Sequence, residues 1–166
     1  MVSLATQPQD HGNPFDMIEE LVLANDWVFD RASESEMVVE IAGRWCSYHL
    51  CFVWDIELQA VFFSCHLDVK TTPASRRAVA ELLTKANERL WLGHFELSHE
   101  DGLVSYRHTL PLRGTAGMAA DQLEDLVDCG LGESERFYPA LQLVVWGGRS
   151  PDEALETALM DTVGEA

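Results

Sequence analysis

Six histidines and four cysteines are the side chains of this 166-residue sequence best suited to nucleophilic or metal chemistry, and their spacing favours neither. Cys65 and His66 are neighbours in a stretch that reads as a strand. Successive strand side chains point to opposite faces, so they cannot form a thiolate–imidazole couple with each other. His94, His99 and His108 share one predicted hairpin, but the pairing puts His94 on the face away from the other two. His99 and His108 then lie toward opposite ends, too far apart to hold one metal ion. Cys46, Cys51, Cys65 and Cys129 show no CxxC spacing and no secreted-scaffold density, and read as small, reduced, buried hydrophobes.

Carboxylates are plentiful, but only Glu40 and Asp68, both at strand edges, fall in apolar settings. Phosphate-binding glycine loops, GxSxG elbows and HExxH pairs are missing. No catalytic, metal or cofactor-binding residue is therefore expected, and no cofactor. His49 is the one polar group that stands out. The predicted hairpin sets it opposite Phe63 on an oily face, where it is read first as a buried, hydrogen-bonded histidine and otherwise as a dimer or ligand contact.

The stretch that positions most of these residues runs from Leu82 to Leu110. Val79, Leu82, Leu83, Ala86 and Leu90 share one side of a helix, and Gly93 stands where a left-handed cap belongs. Phe95, Leu97 and His99 then alternate with polar residues, and Asp101-Gly102 turns the chain into a hairpin. Counted through a two-residue turn, Leu97 faces Tyr106 and Glu96 faces Arg107, a cross-strand ion pair. On the helix, Ala80, Thr84, Asn87 and Trp91 form an uncharged arc beside the core stripe, read either as a cap on the core or as an interface.

Before this unit, Asn13-Pro14 opens a helix that buries Phe15, Ile18, Leu21 and Val22. Trp27 to Asp30 reads as a short strand and Met37 to Ala42 as a half-exposed one. Trp45 to Trp54 is almost continuously apolar and returns through Asp55-Ile56-Glu57 into Leu58 to Leu67. If Trp54 faces Leu58, Tyr48, Leu50, Phe52, Ala60 and Phe62 share one face, and Trp45, Cys51, Val53, Val61, Phe63 and Leu67 the other. Both faces are then oily and need cover. Thr72-Pro73 is read as capping the second helix and Thr115 the third. Gly130 and Gly132 read as breaks before a further helix entered through Pro139, and Ser150-Pro151-Asp152-Glu153 as a capping box.

Length and a 47% hydrophobic content suit one domain over residues 13–166, with a core over 13–130, a helical extension over 133–166 and a flexible tail over 1–12. The net charge of −17, from 28 acidic against 11 basic residues, would repel a phosphate backbone, so nucleic acid is not an expected partner. Neither a leader nor a run of about 18 apolar residues is present, so no membrane association is expected and a cytoplasmic location is the default.

The strands WCSYHLCFVWD at 45–55 and VFFSCHLDVK at 61–70, with LLTKANERLWLGHFEL at 82–97, resemble the YbjN domain family of "putative bacterial sensory transduction regulators". The resemblance spans residues 14 to 112, and FYPALQLVVWGG with the final helix is similar to the C-terminal extension of a bacterial subgroup. It implies a type III secretion chaperone-like α+β fold, in the order α-β-β-β-α-β-β-α plus C-terminal helices, with about five antiparallel strands and the helices on one face. It also implies a homodimer that holds partner polypeptides on apolar surface, with no established reaction. The expected function is a non-enzymatic, chaperone-like or regulatory interaction module. The alternative is a small-molecule sensor or enzyme whose pocket lies between the sheet and the C-terminal helices, near His49, Phe63 and Tyr138; an acidic DNA mimic is a third, weaker reading.

Overall fold

Asn13 and Pro14 open the first helix as their types require. The Asn13 side chain accepts the Phe15 N–H at 3.0 Å, and Pro14 fills a first-turn position that needs no donor. The computed structural model describes residues 13–163, so the tail expected over residues 1–12 lies outside them. The elements are α1 (Pro14–Ala24), β1 (Val28–Ser33), β2 (Glu36–Ala42), β3 (Ser47–Asp55), β4 (Ala60–Lys70), α2 (Arg76–Asn87), β5 (His94–Leu97), β6 (Leu103–Pro111), α3 (Ala120–Val145) and α4 (Pro151–Val163). The strands form one antiparallel sheet in the order β1-β2-β3-β4-β6-β5, six strands where about five were expected. β1, read from the sequence as the short strand Trp27 to Asp30, pairs with β2 along nearly its whole length.

One face of the sheet carries Met37, Val39, Tyr48, Leu50, Phe52, Phe63, Cys65, Phe95 and Tyr106, all buried. These join Phe15 and Ile18 of α1, Leu82 and Ala86 of α2, Leu123 and Phe137 of α3 and Leu155 of α4 in a single apolar cluster. The stripes read from helical periodicity are therefore the faces that pack.

The β3–β4 hairpin differs from its sequence reading by three residues. Asp55 pairs with Ala60, not Trp54 with Leu58. The Asp55 carboxylate accepts the N–H groups of Glu57 and Leu58, each at 2.9 Å, and Gln59 takes a left-handed φ of 51°, so the turn is longer than the one assumed. An odd shift moves every side chain of one strand to the opposite face. Val61, Phe63, Cys65 and Leu67 thus join Tyr48, Leu50 and Phe52 inside, and Phe62, Ser64, His66 and Asp68 turn outward.

The β5–β6 hairpin is shifted by two, an even number, so its faces are kept. Phe95 pairs with Tyr106 and Leu97 with Val104, and Arg107 still reaches Glu96 diagonally at 3.0 Å.

Helix starts also move. Thr72 to Ser75 form a hydrogen-bonded turn ahead of α2, and the Thr115 hydroxyl donates to Leu112 O and Gly117 O before α3 begins. Gly130 and Gly132 do not break α3, which runs for 26 residues. Gly130 lies over the sheet, where a Cβ would fall 2.8 Å from the Phe63 Cζ and closer still to Cε1, so the residue permits close approach of helix to sheet. The drawn boundary at 130–133 falls inside this helix.

Candidate functional site

The outward face of the sheet is mixed, not oily. Across its middle run Glu40, His49, His66, Ser105 and Glu96, each opposite the next on the neighbouring strand. His49 therefore faces His66 and solvent, and the pairing with Phe63 does not exist: Phe63 is 1% exposed and packs on Phe52 at 5.2 Å in the core. Beside this row Cys51, Val53 and Phe62 form a half-exposed apolar strip. The Ser64 hydroxyl and His66 Nε2 lie 3.0 Å apart. Burial and then His49 hold the His66 imidazole below its ordinary value, against the opposing pull of Glu96 and Asp101.

Neither Cys65 nor Cys51 is placed as an activated nucleophile. Burial pushes the Cys65 thiol up to about 12 although Ser134 donates to it at 3.4 Å, and burial also raises Cys51. Both are protonated at neutral pH. Among the described residues no three His, Cys, Asp or Glu side chains are grouped to hold a metal ion.

Tyr138 belongs to the interior. It stacks on Trp45 with rings 8° from parallel and centroids 6.4 Å apart, meets Tyr48 edge-on, and donates to Asp68 O at 3.4 Å. Burial raises its phenol to about 12. Trp45 has a second task. Pro139 has no N–H, so the Glu135 carbonyl four residues earlier lacks its helical donor, and the Trp45 indole N–H donates to that carbonyl at 3.2 Å. His49, Phe63 and Tyr138 are not brought together in a pocket.

The proposed interface arc is also redistributed. Ala80 and Thr84 are exposed on α2. Asn87 ends the helix and clamps the next strand, accepting Phe95 N–H at 2.7 Å and donating to Phe95 O at 3.0 Å. Trp91 lies past the helix end, in the short connection from Glu88 to Gly93, and is 99% exposed; Leu92 beside it is 54% exposed. Gly93, at φ 62°, sits so near Tyr106 and Arg107 that a side chain has no room, and the Tyr106 hydroxyl donates to Leu92 O at 2.9 Å. The connection is tied at both ends with its indole held outward.

Next to this shelf a cleft of about 170 Å³ opens between β6 and the first half of α3, lined by Leu92, His108, Leu110, Asp125, Leu126 and Cys129 among others. A space between the sheet and a C-terminal helix was anticipated, but at other residues. Leu92 and Leu110 had no place in any predicted stripe, and Asp125 had no predicted role. Only packing sets them side by side.

Residues 14–143 match the family model of YbjN, described as "Putative bacterial sensory transduction regulator". Among solved structures, the crystal structure of YbjN, "a putative transcription regulator from E. coli", is similar with a TM-score of 0.52 at 10% identity, over 72% of this chain and 84% of that one. At that identity the likeness concerns the fold. Curated protein sequences gave no match.

Proposed function

The chain belongs to the YbjN family, and from that premise we propose that it is a regulatory protein acting by non-enzymatic contact with a partner polypeptide at the Trp91–Leu92 shelf. The observation that carries this reading is the exposure of Trp91. A tethered indole with almost no contact inside its own chain is an expensive surface unless another molecule covers it, and aromatic anchors of this kind are worth about 2 kcal/mol or more at interfaces. The outward sheet face does not support the reading as the sequence suggested, because His49, Ser64, His66 and Asp68 give it a hydrated half.

Capture of partners from the native cell by the full chain, with Trp91→Arg as the comparison, tests the proposal. Loss of a captured polypeptide from the variant, with capture by the unaltered chain surviving moderate salt, is the expected outcome. Equal capture by both proteins refutes it. A homodimer is the second reading, favoured by the exposed, uncharged Ala80 and Thr84 on α2, the helix that leads into the shelf. Light scattering separates the two: a dimer that Trp91→Arg converts to monomer supports the homodimer, and a monomeric parent protein eliminates it.

A further inference from the structure

Resting on the reading of the Trp91–Leu92 shelf as a polypeptide contact, we propose that the cleft beside it receives an extended segment of another protein in which apolar residues alternate with lysine or arginine. This segment adds as a strand to β6 where β5 stops.

Three independent features define the occupant. The first is a strand edge. β5 pairs only with residues 104–107, whereas β6 continues to Pro111, so beyond Arg107 only β4 lies alongside it. Ser98 N–H binds Leu103 O, which fixes the odd-numbered residues of β6 as those whose backbone groups face the β5 side. Thr109 is the next of that series after β5 has ended. A short strand laid there gains main-chain hydrogen bonds to the unpaired edge of β6.

The second feature is the cleft itself. His108 and Leu110 share the inward face of β6, so inward side chains of the added strand point between them and Leu126 of α3, with Leu92 as one wall. The space is apolar and takes one or two aliphatic side chains.

The third is charge. Asp125 lines the cleft, with Asp121 one helical turn before it, both exposed. Among the described residues no ion pair engages either of them, and no Lys or Arg lines the cleft. A cationic side chain flanking the apolar anchor meets this acidic wall. A second copy of the chain brings another net charge of −17 to the same place and is the poorer match.

The test uses the full chain and three synthetic heptapeptides: Lys alternating with Val and Leu, Glu alternating with Val and Leu, and Lys alternating with Thr. Cys129 lines the cleft and is half-buried, so its alkylation rate, read by mass spectrometry at that residue, reports occupancy. The Lys–Val/Leu peptide is expected to slow alkylation of Cys129 and to bind in calorimetry, the other two to do neither. Asp125→Lys should weaken binding about fivefold, as the loss of one ion pair at a partly desolvated rim implies. The inference is overturned by undiminished alkylation under saturating Lys–Val/Leu peptide. It is overturned equally by the same protection from Lys–Thr, which would be charge attraction alone, or by unchanged binding to Asp125→Lys. A native partner captured through Trp91 that leaves Cys129 unprotected overturns this inference while sparing the proposed function. Partner capture indifferent to Trp91→Arg removes the proposed function itself.

Discussion

If the Trp45 indole replaces the donor that Pro139 takes from α3, the two residues must be energetically coupled. The indole N–H lies 3.2 Å from the Glu135 carbonyl, and an intramolecular hydrogen bond of this kind is worth about 1 kcal/mol net. Trp45→Phe removes the donor while keeping an aromatic ring against Tyr138 and Arg44. In the parent protein it should cost about 1–2 kcal/mol, combining the lost bond, the stranded carbonyl and some ring area. Pro139→Ala supplies an N–H at position 139 that reaches the same carbonyl along the helix. In that background Trp45→Phe should cost about 1 kcal/mol less, because only the ring area is lost. The assay is urea unfolding of all four proteins, followed by far-ultraviolet circular dichroism at one protein concentration. Fluorescence is unsuitable because the substitution deletes a fluorophore. A coupling energy within about 0.3 kcal/mol of zero would refute the assignment.

Gly130→Ala should destabilise by about 1–2 kcal/mol in the same assay, since crowding Phe63 outweighs the gain in helix propensity; a more stable variant would show that Gly130 is not a contact residue. Asn87→Ala should cost about 1–3 kcal/mol by removing both bonds to Phe95, and should speed hydrogen exchange at the Phe95 amide, which a purely exposed Asn87 would not do. Burial, and then His94, hold His108 below 6.5, as burial and His49 hold His66. An unfolded chain therefore takes up these protons before the folded one. Their stabilisation is complete above about pH 6.5 and is lost as pH falls through the lower folded values. Urea midpoints should drop from pH 7.5 to 5.5, and the His66→Gln, His108→Gln double variant should flatten that drop; an equal drop in both proteins would count against the assignment.

Local chemistry in the sequence determined much of this protein. Asn13-Pro14 and the Ser150–Glu153 box start helices wherever they stand, because caps are satisfied within one turn. The stripes Phe15-Ile18-Val22 and Val79-Leu82-Leu83-Ala86 name packed faces because periodicity is a property of the helix alone. The hairpin around Asp101-Gly102 was legible, and the Glu96–Arg107 pair survived an even error in its register.

Tertiary structure decided what parity and proximity control. Whether Phe63 faces the core or His49 depended on the length of one turn, set by the Asp55 carboxylate, and an odd miscount inverts a whole strand. Gly130 looks like a helix break until Phe63 is placed beneath it, and Pro139 is tolerated because Trp45, distant in sequence, supplies the missing donor. The cleft joins Leu92, Leu110 and Asp125, which share no period and no motif. Sequence patterns report on neighbours along the chain, whereas a binding surface is made by neighbours in space, and only the packed sheet and helices supply those.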